Sequence, residues 1–239
     1  NVTINGEQRS SLWVKEGDTV TVATTLKDGY WMEFMKWTEQ DGSAAPMEPD
    51  EGWQTSTAFT FKMPAGNVTL TAAYKDVYTL TVDDGKGTIL VNGVEGNRAL
   101  AGDEITVTET GSDKYHLFSS WKLTSSTPLV RPSDNWENSK EFTFTMPADN
   151  VTLTADYKQL YDLTVTGGTI VNGTDTGIYL PGTKVTVCFT DSDDITKQFK
   201  QWTYTGTAPE EPDGGWQTSK KFTFTMPDSA VTLTAVYRE

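Results

Sequence analysis

Few side chains in these 239 residues are of a type that does covalent or acid–base chemistry. There is one histidine, His116, and one cysteine, Cys188. A Cys/His zinc cluster, a haem thiolate and a disulfide within the chain all need more ligands or partners than that. His116 stands where other copies of an internal repeat carry Met32 and Lys197. With no nucleophile motif around it, it reads as a surface residue and not a general base. Cys188 stands where other copies carry Thr108 and Ala23, and reads as an unpaired thiol on the face opposite Val185 and Val187. The run Asp191-Ser192-Asp193-Asp194 has the composition of half a calcium loop. It lacks the glycine and the closing bidentate glutamate that such a loop needs, and reads as a solvated turn, as does Asp83-Asp84-Gly85. No pair of carboxylates recurs in an aromatic cleft, so glycosidase chemistry has no support. The expectation is a protein that is not an enzyme and needs no cofactor or metal.

Recognition chemistry has more to work with. Two stretches, EPDEGWQTS (Glu48–Ser56) and EPDGGWQTS (Glu211–Ser219), agree at every position but one, while the third copy reads RPSDNWENS (Arg131–Ser139). Each presents a tryptophan: Trp53, Trp216 and Trp136. Tryptophan brings a large flat area with one hydrogen-bond donor, which suits it to anchoring a protein interface or stacking on a sugar ring. With Gln54 and Gln217 beside them, these loops are candidate binding elements. The competing reading is that each tryptophan lies back on its own module and pins a long loop. A second group is specific to one copy: Trp13, Trp31 and Met32 have no like residue at the matching places elsewhere. An apolar cluster that the repeat does not require is a candidate contact patch.

The elements that position these residues come from a repeat. FTFKMPAGNVTLTAAYK, FTFTMPADNVTLTADYK and FTFTMPDSAVTLTAVYR carry Met63, Met146 and Met226 at intervals of 83 and 80 residues. Trp37, Trp121 and Trp202 recur in step, each with a phenylalanine three places before it (Phe34, Phe118, Phe199). Three modules follow: 1–75, 76–158 and 159–239. The first has no counterpart of the tyrosine that opens the other two. The local pattern is β: Val151, Leu153, Ala155 and Tyr157 fall on one face with threonines on the other, and Phe142 and Phe144 alternate with Thr143 and Thr145. Phe-x-x-Trp brings two aromatics inward only if the strand has a bulge, or if a turn of helix forms around 194–201. The Met-Pro segments end in turn-forming residues. Only about three residues separate the modules in YKDVYTLTV and YKQLYDLTV, which predicts stiff joints and an elongated rod.

Together these residues resemble the divergent internalin B-type repeat family of bacterial surface proteins. The matching frame in the second module is Tyr78–Val82, Gly102, Ile105–Val107, Phe118, Trp121 and Phe142–Tyr157, and the other modules match at equivalent places. The resemblance implies extracellular β-rich modules strung in tandem on a secreted or wall-attached protein, with no catalytic residues to transfer. The fold expected is all-β, three tandem small β-sandwich or β-grasp-like modules. The chain departs from the family frame in the long insertion between the first tryptophan and FTFTMP. The net charge of −14 disfavours nucleic acid and anionic membrane surfaces. No apolar run is long enough to span a membrane, and the N-terminal NVTINGEQRS has no charged-then-apolar leader. The function expected is binding of a host secreted or surface protein, such as a mucin-like glycoprotein or an immunoglobulin, by a monomeric adhesin segment on the bacterial surface. Trp13, Trp31, Met32, Trp53, Gln54, Trp136, Trp216 and Gln217 are the contact residues expected. A passive stalk and a glycan-binding module are the alternatives.

Overall fold

The computed structural model describes residues 2–25, 32–172, 177–190 and 198–238. The chain forms twenty strands there and no α-helix. The first module holds β1 (Val2–Ile4), β2 (Glu7–Gln8), β3 (Thr19–Thr24), β4 (Met32–Glu39), β5 (Ala58–Lys62) and the start of β6 (Leu70–Val82). The end of β6 opens the second module, followed by β7 (Gly87–Val91), β8 (Val94–Glu95), β9 (Arg98–Leu100), β10 (Glu104–Glu109), β11 (His116–Leu123), β12 (Glu141–Thr145) and β13 (Val151–Gln159). The third holds β14 (Tyr161–Thr166), β15 (Gly168–Ile170), β16 (Ile178–Tyr179), β17 (Lys184–Phe189), β18 (Gln198–Gly206), β19 (Lys221–Thr225) and β20 (Val231–Arg238).

Each complete module is a two-layer β-sandwich. In the second, one sheet runs β12-β10-β7-β8 and the other includes β11-β13-β6-β9. The third repeats this with β19-β17-β15 and β18-β20-β14-β16. The alternation predicted from sequence points one row from each sheet into the gap between them. Leu80, Phe118, Trp121, Val151 and Leu153 from one layer meet Ile105, Val107, Phe142 and Phe144 from the other, all buried. Threonines between these positions face outward, as period-two pairing requires.

Two local devices shape the sandwich. In all three copies the register slips after the phenylalanine of Phe-x-x-Trp, between Phe34 and Lys36, Phe118 and Ser120, and Phe199 and Gln201. That bulge adds the residue needed to turn both aromatics inward. Residues 198–201 lie in strand β18, so there is no helical turn at that end of the segment; residues 191–197 lie outside the described residues. The second device is a glycine turn. Gly17, Gly102 and Gly182 have φ of +84°, +97° and +82°, a conformation that glycine adopts without penalty. Their N–H groups donate to the carbonyls of Met63, Met146 and Met226 at 2.8, 2.9 and 2.8 Å. The recurring glycine and the recurring Met-Pro corner are therefore one feature.

The opening strand of each complete module lies parallel to its closing strand. Leu80 pairs with Val151 and Val82 with Leu153, and in the third module Leu163 pairs with Val231 and Val165 with Leu233. At the first joint there is no linker. β6 is one strand of 13 residues whose start pairs with β4 of the first module and whose end pairs with β13 of the second. One five-stranded sheet thus includes strands of both modules. At the second joint only Leu160 separates β13 from β14, and its N–H donates to the Tyr115 carbonyl at 2.7 Å. The Tyr115 hydroxyl donates to Asp162 at 2.9 Å, and Lys114 pairs with the same carboxylate at 3.5 Å.

Candidate functional site

The insertion loops fold back on the modules that carry them. Gly52, Asn135 and Gly215 take left-handed backbone angles and launch a single 3-10 turn that begins with Trp53, Trp136 or Trp216. Each indole packs on the first phenylalanine of the FTF strand, with ring centroids 4.9 Å apart for Trp53–Phe59, 5.3 Å for Trp136–Phe142 and 5.0 Å for Trp216–Phe222. The serine ending each loop accepts, through its carbonyl, the Nε1–H of the core tryptophan: Trp37 to Ser56 at 2.9 Å, Trp121 to Ser139 at 2.9 Å, Trp202 to Ser219 at 3.0 Å. The other end is tied as well. Asp50 accepts the Thr60 N–H at 2.7 Å, Asp213 accepts the Thr223 N–H at 2.7 Å, and Ser133 Oγ accepts the Thr143 N–H at 2.9 Å. A buried indole N–H and an exposed loop are satisfied together.

This geometry bears on the two readings of the loop tryptophans. Trp53 is 7% exposed, so its ring offers a partner almost no surface and it is corrected here from a contact residue to a core residue. Burial follows from its seat between Phe59 and the strand of Trp37. Trp136 and Trp216 are half-buried and belong to the margins of the second and third cores. Gln54 and Gln217 follow them on the exposed side of the turn. Met32 is half-buried at the start of β4. Trp31 lies outside the described residues, as does Asp191–Asp194. Among the described residues no cluster of His, Cys, Asp and Glu gathers as a metal site, and no helix is long and apolar enough to cross a membrane.

Trp13 is the exception among the described tryptophans. It is 98% exposed. It sits on the rim of a cavity of about 400 Å³ walled by Val2, Ile4, Leu12, Val14, Val68 and Leu70, with Trp37 at the floor. The other two sandwiches fill the equivalent space with their opening strands.

The described titratable groups include one buried carboxylate, which sequence reading missed. Glu109, at the end of β10, accepts hydrogen bonds from the Ser112 N–H and hydroxyl and from the Tyr157 hydroxyl, the last at 2.9 Å, with Lys140 at 3.5 Å. Burial on its own raises a carboxyl pKa, but these donors and the lysine outweigh it and hold Glu109 below the ordinary value. Tyr157 is pushed up to about 12, first by burial and then by its bond to Glu109. The equivalent pair in the first module is Thr24 with Tyr74, joined by a hydroxyl–hydroxyl bond. In the third it is Phe189 packed on Tyr237. Three chemistries at one place that all support the same tyrosine mark a structural position. The exposed His116 is held by the Asp113 carboxylate through Nδ1 at 2.8 Å, an arrangement that closes a turn before β11.

A family model described as the divergent InlB B-repeat domain matches residues 1–77, 78–160 and 161–239. The chain belongs to this family. Its three B-repeats thus account for the whole sequence, and each match in the complete modules starts at or within two residues of an opening tyrosine, Tyr78 or Tyr161. A search of curated proteins finds no match. The B-repeat is a repeat domain of bacterial surface proteins and is generally non-enzymatic. The tertiary arrangement adds that the long loop between the core tryptophan and the FTF strand is built into the sandwich by the serine and Asp/Ser ties described above.

Proposed function

We propose that this segment is a surface-displayed spacer that holds other parts of a bacterial protein away from the cell, without catalysing a reaction. The observation that carries this reading is β6, a single strand shared by two B-repeats. A bend at that joint breaks pairing on one side or the other, so the array resists swivelling, a property of use in a stalk. The loop tryptophans Trp53, Trp136 and Trp216, which sequence reading offered as contact residues, pack on the phenylalanines of their own modules. The acidic charge keeps such an array soluble and apart from its neighbours. Small-angle scattering tests the proposal: a rod-like distance distribution with a maximum dimension near three module lengths supports it, and a compact or widely averaged particle overturns it.

A second reading rests on Trp13, an indole that its own module leaves in solvent. In this reading the first B-repeat binds a host secreted protein, such as an immunoglobulin or a mucin. Titrating purified secretory immunoglobulin and purified mucin onto the intact chain and onto Trp13→Ala tests it. Saturable binding that the substitution removes supports an adhesin contact there; absence of binding, or binding that Trp13→Ala leaves unchanged, removes it. Quenching of tryptophan emission by oligosaccharides is the corresponding test for a glycan.

A further inference from the structure

The three modules end the inward row of one strand differently. In β18 that row runs from Trp202 to Tyr204, whose register partner on β20 is the buried Leu233. Leu123 and Glu39 hold the same place, opposite Leu153 and Leu70. A third ring therefore joins the loop tryptophan and its phenylalanine in the third module, where the other two have an aliphatic chain or a carboxylate. Tyr204 is 43% exposed, and its ring lies beside the indole of Trp216, with centroids 6.2 Å apart and planes inclined at 43°. Trp216 leans in turn on the buried Phe222 at 5.0 Å.

The loop fixes this pair in place. The Trp216 N–H donates to the Asp213 carbonyl at 3.1 Å, and the Trp216 carbonyl accepts the Ser219 N–H at 3.2 Å. The Asp213 carboxylate is itself tied to the Thr223 N–H at 2.7 Å. A ligand that seats on rings already held pays little to order them. Hydrogen-bonding groups are also left over beside the rings. Among the described residues, the Tyr204 hydroxyl, the Trp216 Nε1–H and the Gln217 amide have no partner, whereas the core Trp202 gives its Nε1–H to Ser219. Together they offer both donors and acceptors.

We infer that Tyr204 and Trp216 form a stacking platform for a neutral, β-linked oligosaccharide. An aromatic face is electron-rich and attracts the weakly positive C–H groups on the face of a sugar ring. Equatorial β linkages keep a sugar chain extended, so two successive units can each meet one of two inclined rings. An α linkage turns the next unit away. The free hydroxyl, indole N–H and amide match the hydroxyl groups around the sugar rim. Charge selects within this class. Glu210, Glu211 and Asp213 on the same loop are exposed, so a sialylated or sulfated chain is repelled and a neutral one is not. This site is separate from Trp13 and gives the third B-repeat a role beyond that of a spacer.

The test is a titration of the intact chain with cellotetraose and with chitotetraose, which differ in their acetamido groups, read by calorimetry and by the indole N–H resonances. The result expected is saturable binding of at least one of them at one site, moving the Trp216 resonance and leaving that of Trp202 in place. Maltotetraose, the α-linked isomer of cellotetraose, is expected to bind at least about tenfold more weakly. Tyr204→Ala, an exposed change, is expected to weaken binding at least about tenfold, as the loss of an anchor does. Tyr204→Phe keeps the ring and is expected to bind within about threefold of the unchanged chain. Trp13→Ala is expected to have no effect. Absence of binding by both β-linked sugars overturns the inference. So does equal binding of maltotetraose, or binding that Tyr204→Ala leaves unchanged, that Tyr204→Phe abolishes or that Trp13→Ala removes. None of these outcomes bears on the scattering test of the spacer.

Discussion

At the scale of the residue, the described tryptophans divide by what they bury. Trp202 is 0% exposed and donates to Ser219 across the core. Replacing it with alanine is expected to cost about 3–5 kcal/mol, the range for deleting a large buried aromatic. Trp216, at the margin of the same core, is expected to cost about 1–2 kcal/mol, since part of its area is already in water. Denaturant unfolding of the whole chain, read by exchange within the third module, checks the order; equal costs would mean the loop tryptophan is as central as the core one. Glu109 makes a prediction about pH. Its folded pKa lies below its unfolded value, so its contribution to stability is present above about pH 4.5 and is lost as pH falls through the lower folded value. Glu109→Gln is expected to lower the stability of the second module at neutral pH and to flatten its fall on acidification. An unchanged acid slope in that variant would show that the carboxylate is not the group responsible.

At the scale of the element, the sandwich depends on how closely β15 crosses the core tryptophan. A Cβ on Gly168 would lie 2.4 Å from Trp202 Cη2 and 2.7 Å from the Cys188 carbonyl oxygen. Gly168→Ala therefore forces the strand away and is expected to cost about 1–3 kcal/mol, the usual range for overpacking. At Gly87 the nearest atoms lie at 3.0–3.2 Å, so Gly87→Ala is expected to be the milder change; thermal unfolding of the two variants side by side checks this. The bulge after Phe34, Phe118 and Phe199 shows how far such elements are legible. Phe-x-x-Trp on a strand demands a bulge if both rings are to be inward, and the register slip falls there in each copy. The loop ties were less legible. That Asp50 and Ser133 do the same work on Thr60 and Thr143 is invisible until the loop and the FTF strand are seen side by side.

At the scale of the whole molecule, the joints couple the B-repeats. The second and third each place an opening strand between two neighbours, and the second shares that strand, β6, with the first. Hydrogen exchange is expected to find protection continuous along β6 across the joint. Loss of protection at the joint itself would show that the two halves of β6 open independently. The joint itself can be tested by inserting Gly-Ser-Gly-Ser after Asp76. This separates the two halves of β6 and is expected to broaden the distance distribution in scattering, leaving each sandwich folded.

The residues by themselves determined the repeat, the all-β class, the alternation of core and surface, and the membership of the family, because these depend on periodicity and on patterns that each module writes out in full. The core roles of Phe118, Trp121, Phe142 and Phe144 could be read in the same way. The fate of Trp53 and Trp13 could not. Both are tryptophans in irregular segments with polar neighbours, and a linear pattern says nothing of whether a phenylalanine lies 4.9 Å away or solvent surrounds the ring. Likewise, the parallel pairing of opening and closing strands joins residues about 70 positions apart, as in Leu80 with Val151. Only the folded arrangement brings them together.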